Sequence, residues 1–185
     1  DPANPDVRQD SNGNLNSFIG IGNAVTFTLN GYTGAEKVIL TGTFNNWDRN
    51  ELLMNKTNTG WSLRYHISPG MYEYKFIADG NWLTDPDNPF TAGSGSFTNS
   101  VIAVMPNHHF ELKGHESARE VIVTGTFTGW DPGKYRMVKK GELWIFNAYL
   151  KPGKYLYKYI VDGEWILDPE NSIWEENEWG TGNSV

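Results

Sequence analysis

The hydrophobic and polar positions of this chain alternate in short runs with the two-residue period of β-strands. The segments VTFTL (25–29) and WSLRYHI (61–67) alternate, and KVILTGTF (37–44) is rich in β-branched residues. Turn signals, among them Pro-Gly and Asp-Gly pairs, separate such runs about every 8–12 residues, as in small β-sandwiches. The pattern nowhere takes the period of a helix, so we predict an all-β chain.

The tyrosine-rich run after the first Pro-Gly pair divides its side chains between two faces. Tyr72, Tyr74 and Phe76 share one face, whereas Glu73 and Lys75 share the other. We predict that the aromatic face packs inward and the charged face points outward. A later run repeats this arrangement.

The chain matches itself at an offset of 83 residues. Over positions 24–90, 27 of 67 aligned pairs are identical without a gap. VILTGTFNNWD (38–48) aligns with VIVTGTFTGWD (121–131). After one inserted residue, NSV (99–101) aligns with NSV (183–185). This self-similarity predicts two homologous domains.

The repeat divides the chain into an arm, two domains and a short linker. The arm is rich in Asn, Asp, Gly and Ser, and we expect Phe18 and Ile19 within it to lie against the first domain. Each copy has the strand and turn content of one β-sandwich. The predicted limits are 1–23 for the arm, 24–104 for the first domain, 105–107 for the linker and 108–185 for the second domain.

Composition and charge narrow the classes of function. The chain has no Cys, which excludes disulfides and thiolate chemistry. A net charge of −7 argues against nucleic acid and acidic membranes as partners, because phosphate binding needs Lys and Arg. No apolar run reaches the roughly 18 residues of a membrane span. The chain begins at Asp1 without an apolar leader, so we expect a removed signal peptide or an excerpt of a longer protein. We expect a bacterial protein in a secreted, periplasmic or cell-surface location.

Candidate catalytic and metal-binding groups are few. Asp85 and Asp168 each precede a proline in a turn, which favours a geometric role over acid–base catalysis. His108 and His109 are adjacent, and adjacent strand residues point to opposite faces, so we predict no metal site there. The chain lacks nucleophile-elbow and phosphate-loop motifs. We predict no catalysis by this segment, no cofactor and no metal.

Four tryptophans lie at loops and turns, where they would be available to a ligand. Trp47 and Trp130 end the motifs TFNNWD and TFTGWD, whereas Trp82 and Trp165 follow Asp-Gly turns. A flat indole stacks well on the apolar face of a pyranose ring, and base stacking on aromatic rings contributes about 1–3 kcal/mol. We predict that Trp47 and Trp130 are substantially exposed. Two further tryptophans alternate within strands and are predicted to be buried: Trp61 and Trp144.

Polar side chains near these tryptophans are candidate donors to sugar hydroxyls. Lys75 and Lys158 lie on the face opposite the tyrosines, where a solvated lysine is also common. Asn99 and Asn183 precede the last strand of each copy and either bond hydroxyls or close a turn.

The motifs TFNNWD, YEYKFIADGNW, DPDN and TNSVIAV, in this order, resemble the glycogen-binding domain of the AMP-activated protein kinase β subunit and related family-48 carbohydrate-binding modules. The resemblance covers both copies. It implies immunoglobulin-like (early-set) β-sandwich domains and an α-1,4-glucan ligand. The contact residues it implies are Trp47, Lys75, Trp82 and Asn99 in the first copy, and Trp130, Lys158, Trp165, Trp179, Thr181 and Asn183 in the second.

The two copies depart from the family pattern in different places. The family's Leu and Thr before the last strand correspond to Trp179 and Thr181 in the second copy, but to Gly95 and Phe97 in the first. The second copy has Thr-Gly at 128–129, where the family has Asn-Asn. The second copy has the fuller set of candidate contacts around Trp130, so we expect Trp130→Ala to weaken binding more than Trp47→Ala.

Two functions are compatible with the sequence. The first is non-catalytic polysaccharide binding, to an α-glucan such as glycogen or starch or to xylan, by an accessory region of a larger carbohydrate-active protein with a catalytic domain in cis. The alternative is a pair of structural or protein-interaction sandwiches that pack on a catalytic domain absent from this chain.

Overall fold

The computed structural model describes residues 23–185 in full and the backbone of 7–9 and 15–17. The expected position of Phe18 and Ile19 lies outside the described residues. Within the described part, regular structure is almost entirely strand, which confirms the all-β class. The strands are β1 (Val7–Gln9), β2 (Leu15–Ser17), β3 (Asn23–Asn30), β4 (Val38–Gly42), β5 (Leu52–Leu53), β6 (Asn55–Lys56), β7 (Gly60–Ile67), β8 (Gly70–Ala78), β9 (Asn81–Leu83), β10 (Thr91–Ala92), β11 (Asn99–Val104), β12 (His108–Lys113), β13 (Val121–Gly125), β14 (Val138–Lys140), β15 (Leu143–Ala148), β16 (Tyr157–Val161), β17 (Glu164–Ile166), β18 (Trp174–Glu176) and β19 (Gly182–Ser184), with 3-10 turns at Thr43–Asn45, Gly95–Phe97 and Thr126–Thr128.

The chain divides into two compact units. The first takes in the chain up to Pro89 together with Asn99–Met105, and the second takes in Phe90–Thr98 together with Pro106–Val185. The segment Phe90–Thr98 therefore belongs by sequence to the first copy but is grouped with the second unit. The domain limits predicted from the repeat stay a prediction.

The first unit is a sandwich of two antiparallel sheets. One sheet has the order β3-β7-β6, and the other has the order β11-β8-β4-β5 with β9 paired to the end of β8. Side chains from both sheets meet in one apolar core, as the alternating pattern predicts. The most deeply buried members of this core are Leu29, Val38, Leu40, Leu52 and Phe76.

The second unit repeats this arrangement. Its sheets have the orders β12-β15-β14 and β13-β16-β19-β18, with β17 paired to β16. Thr124 pairs with Lys158 as Thr41 pairs with Lys75, so the two copies keep one register. The predicted division of faces is confirmed, because Tyr74, like its counterpart Tyr157, is buried while both lysines stay partly exposed.

Each copy contains the same set of hydrogen bonds, which in the second copy ties the turn after β17 to the last strand. The Tyr157 hydroxyl donates to Asp168 Oδ2 at 2.7 Å, and Asn171 Nδ2 donates to Tyr157 Oη at 3.0 Å and to the Val185 carbonyl at 2.8 Å. The first copy makes the same bonds through Tyr74, with the Asp85 acceptor at 2.6 Å. Burial, chiefly, raises the pKa of Tyr157 to about 12. Each aspartate thus has the geometric role predicted for it.

The predicted burial of the strand tryptophans is confirmed. Trp61 is 4% exposed and Trp144 is 6% exposed, and their indole N–H groups donate to the carbonyls of Tyr32 and His115. Trp61 belongs to the apolar core of the first unit.

We predict that Trp61→Ala destabilises the first unit by about 3–5 kcal/mol, because it leaves a large cavity in the core. The matched variant Trp82→Ala removes an indole that is 44% exposed and should cost far less. Thermal unfolding followed by circular dichroism measures both. Equal shifts in melting temperature would contradict this assignment of core and surface.

Candidate functional site

The loop tryptophans of the two copies share one unusual backbone conformation. Trp47 has a φ of 58° and Trp130 has a φ of 61°, a left-handed region that bulky residues seldom occupy. Their backbone N–H groups donate to the carbonyls of Gly42 at 2.8 Å and Gly125 at 2.9 Å. The orientation of each indole is therefore set by a closed backbone turn.

A glycine lets this turn approach the neighbouring strand. A Cβ atom at Gly125 would lie 2.2 Å from the carbonyl oxygen of Leu156, and one at Gly42 would lie 2.4 Å from that of Glu73. Both distances are far below van der Waals contact. The TGTF motif thus brings the tryptophan loop against the segment that leads into the lysine of each copy.

The difference at 128–129 leaves the turn intact. In the first copy, Asn45 Oδ1 accepts from the Gly42 N–H at 2.9 Å. In the second copy, Thr128 Oγ1 accepts from the Gly125 N–H at 3.0 Å, so a hydroxyl replaces the amide oxygen. The next residue, Gly129, takes a φ of 64° without a steric penalty.

Each loop tryptophan pairs with the tryptophan of the following hairpin. The ring centroids of Trp130 and Trp165 are 6.3 Å apart at an interplanar angle of 42°, and those of Trp47 and Trp82 are 6.4 Å apart at 45°. Trp165 and Trp82 are exposed, whereas Trp130 and Trp47 are only partly exposed. The prediction of substantial exposure is therefore wrong for Trp47 and Trp130, because each lies in its loop beside a second indole.

In the second unit, an open groove of about 1010 Å³ collects the predicted residues of that copy. Trp179 stands 77% exposed at its edge, and Lys158 Nζ donates to Thr181 Oγ1 at 3.2 Å. Asn183 lines the groove although it is only 5% exposed. The predicted residues found there are Trp130, Lys158, Trp165, Trp179, Thr181 and Asn183.

Other residues that line this groove were not predicted from the sequence. Leu156 and Leu167 add apolar surface beside the indoles, and Asn177 lies where the loop after β18 begins. Alternation could have found Leu156, since it lies two residues before Lys158 and so shares its face. The loop that contains Asn177 has no periodic pattern from which its role could be read.

The first unit brings together a smaller set. Trp82 pairs with Ile77, two residues along β8 from Lys75 and on the same face. Asn99 Nδ2 donates to Glu73 Oε2 at 2.8 Å, and Glu73 stands where the second copy has Leu156. A groove of about 330 Å³ beside Trp82 has a different lining, namely Lys37, Ile39, Arg49, Asn50, Ile77, Asp79 and Gly80. The segment with Gly95 and Phe97 is grouped with the second unit.

The remaining candidates have structural partners. Both ring nitrogens of His109 are hydrogen-bonded, to Asn147 and Glu111, and His108 packs against Phe110 with centroids 4.4 Å apart. In the part of the chain that the structure describes, no group of three or more His, Cys, Asp or Glu side chains could hold a metal ion. No helix in that part is long and apolar enough to cross a membrane.

Comparison with known families finds one model that matches both copies. The model, described as the glycogen recognition site of AMP-activated protein kinase, matches residues 23–111 and 108–185.

Curated relatives match over single segments. Protein PTST homolog 2, chloroplastic, of Arabidopsis thaliana is 49% identical over 59 residues, which are 31% of this chain and 11% of that protein. Protein FLOURY ENDOSPERM 6, chloroplastic, of Oryza sativa subsp. japonica is 37% identical over 65 residues, which are 35% of this chain and 12% of that protein. The 5'-AMP-activated protein kinase subunit beta-1 of Sus scrofa is 31% identical over 71 residues, covering 38% of this chain and 57% of that sequence. The chain thus spans only about a tenth of the two plant relatives.

Among solved structures, a maltogenic amylase from S. marinus aligns with a TM-score of 0.40 and 15% identity. The alignment covers 77% of this chain and 25% of that chain. A similarity of this degree supports no argument about function.

We predict that Thr128→Ala destabilises the second unit by about 1 kcal/mol, because the Gly125 N–H loses its acceptor. Thr128→Asn should stay close to the unaltered chain, since Asn45 makes the equivalent bond in the first copy. Chemical unfolding followed by tryptophan fluorescence compares the variants. The proposed equivalence is wrong if Thr128→Asn is as unstable as Thr128→Ala.

Proposed function

The chain belongs to the family described as the glycogen recognition site of AMP-activated protein kinase, and we propose that it binds α-glucan chains without converting them. The family match confirms the resemblance seen in the motifs. The observation that supports the proposal most directly is the groove of the second unit. Three indoles, an ammonium group, a hydroxyl and two amides line one open surface there.

The indole pair supplies the apolar part of this binding. Stacking on Trp130 and Trp165 would place two sugar rings on planes inclined by 42°. Successive rings of an α-1,4-linked glucan turn relative to one another, so inclined platforms suit this polymer. Leu156 and Leu167 extend the apolar surface that a sugar ring covers.

The polar groups would fix the orientation of the stacked sugars. An ammonium group has three N–H donors, and Lys158 directs one of them to Thr181. The others are available for sugar hydroxyls. Neutral hydroxyls need hydrogen-bonding partners rather than a strong field, which agrees with a groove that combines few charges with wide apolar walls.

We propose that the first copy binds more weakly. Glu73 places a carboxylate where the second copy has an aliphatic side chain, and the same carboxylate accepts a hydrogen bond from the Asn99 amide. This charge-assisted bond occupies one of the two N–H donors of that amide, which leaves it fewer donors for a sugar hydroxyl.

We further propose that this chain is an accessory region of a larger carbohydrate-active protein. Its match to each plant relative covers only a small share of that relative, as expected for a module. A catalytic domain in cis and a secreted or cell-surface location in a bacterium stay predictions. If the chain does not bind glucan, the alternative function is that of a structural or protein-interaction module.

We predict that Trp130→Ala weakens maltoheptaose binding by about 5- to 150-fold, the equivalent of about 1–3 kcal/mol of stacking. The matched variant Trp47→Ala should weaken it less. Isothermal titration calorimetry measures both affinities, and xylohexaose serves as the competing ligand. Undiminished binding by a chain with both substitutions would rule out stacking on these indoles.

We also predict that the affinity for glycogen is nearly independent of salt. A neutral glucan releases no condensed counterions on binding, whereas a phosphate polymer would give a steep dependence. Affinity gels run at low and high NaCl concentration measure this. A tenfold loss at high salt would indicate a charged ligand and contradict the proposal.

A further inference from the structure

We propose that Asn177 is the positioning residue of this groove, a role that rests on the proposed function. Its side chain makes four hydrogen bonds to three residues of the predicted site. Asn177 Oδ1 accepts from the backbone N–H groups of Trp179 at 3.1 Å and Thr181 at 3.0 Å. Its Nδ2 donates to Thr181 Oγ1 at 2.7 Å and to Asn183 Oδ1 at 3.4 Å. One amide thus joins the three contact residues of the loop.

The backbone of Asn177 closes the same loop. Its N–H donates to the Thr181 carbonyl at 2.8 Å, and its carbonyl accepts from the Gly180 N–H at 3.0 Å. Gly180 has a φ of 72°, which permits the tight return of the chain. The result is a five-residue turn that carries Trp179 at its tip.

This turn matters most for Trp179. Its side chain is 77% exposed, so little core packing fixes its direction. An exposed indole on a mobile loop would lose conformational entropy on binding a sugar, and that loss weakens affinity. By holding the backbone on both sides, Asn177 orders the indole before the ligand arrives.

Asn177 also determines the hydrogen-bonding role of Thr181. The hydroxyl oxygen accepts one bond from Asn177 Nδ2 and a second from Lys158 Nζ at 3.2 Å. A hydroxyl has two acceptor sites and one donor, so both acceptor sites are occupied. The Thr181 O–H is left to donate into the groove. The sugar atom that faces Thr181 is therefore an acceptor, such as a hydroxyl or ring oxygen.

The first copy has no equivalent of this side chain. Counting back from the aligned Trp179 and Gly95, the counterpart of Asn177 is Gly93. A Cβ atom there would lie 2.5 Å from the carbonyl oxygen of Phe97, and Gly93 has a φ of +82°. A single substitution therefore cannot give the first copy this turn.

The test compares Asn177→Ala, Asn177→Asp and the unaltered full chain for maltoheptaose binding by isothermal titration calorimetry. We expect Asn177→Ala to weaken binding about tenfold or more while the melting temperature changes little. Asn177→Asp keeps the acceptor for both backbone N–H groups and should recover part of the affinity. The control Asn107→Ala removes a side chain that bonds Leu150 in the same unit but does not line the groove, and it should leave binding unchanged.

A double-mutant cycle with Thr181→Ala separates positioning from general destabilisation. If Asn177 acts through Thr181, the double variant loses less affinity than the product of the two single losses. Independent, multiplicative losses would overturn the proposed route, and unchanged binding by Asn177→Ala would overturn the positioning role. If Asn177→Ala does not fold, Asn177→Asp is used in the same cycle. Failure of the unaltered chain to bind maltoheptaose would refute the proposed function itself.

Discussion

The alternation of β16 between a buried aromatic face and an outer face is the constraint on which the groove depends. Tyr157 and Tyr159 are buried between the sheets, so Lys158 must point away from the core. A shift of one residue in register would bury the lysine and expose both tyrosines. The free energy of core packing therefore also fixes the direction of the polar group that the groove presents. The direction of Lys158 needs no interaction beyond this packing.

The loop tryptophans obey a second constraint, set by the backbone. Gly125 lies so close to the strand segment before β16 that any side chain would collide with it, and the left-handed turn that follows fixes Trp130. Asn45 in one copy and Thr128 in the other supply the same acceptor. The geometry is thus kept while the residues that cap the turn differ. A sequence motif that requires Asn-Asn would miss this equivalence. The hydrogen bond that the turn needs can be made by either residue.

Much of the fold follows from local patterns, because alternation and turn residues act over a few positions. The faces of β8, the burial of Trp61 and Trp144, and the Asp-Gly turns were all predictable in this way. The partial burial of Trp47 was not, since it depends on a second indole from another hairpin. The grouping of Phe90–Thr98 with the second unit likewise depends on contacts far apart in sequence. In that unit, Phe90 packs against Phe146, and the Gly93 N–H donates to the Gly133 carbonyl.

The two copies have kept the fold and diverged where a ligand would bind. The bonds that hold Tyr74 and Tyr157 to the turn and last strand are the same, since losing them would leave buried polar groups unsatisfied. Outward-facing positions carry no such penalty, so Glu73 and Leu156 could change independently. Two linked sites bind one polymer more tightly than either site alone. This gain in affinity is smaller when one site has fewer contact residues than when the two sites are equal. If the first copy binds more weakly, as proposed, it would add retention on long chains, where it would act at high effective concentration, and would add little to the recognition of short oligosaccharides. If selection acts only on binding to long polymers, it would tolerate the differences between the copies at Glu73 and Gly93.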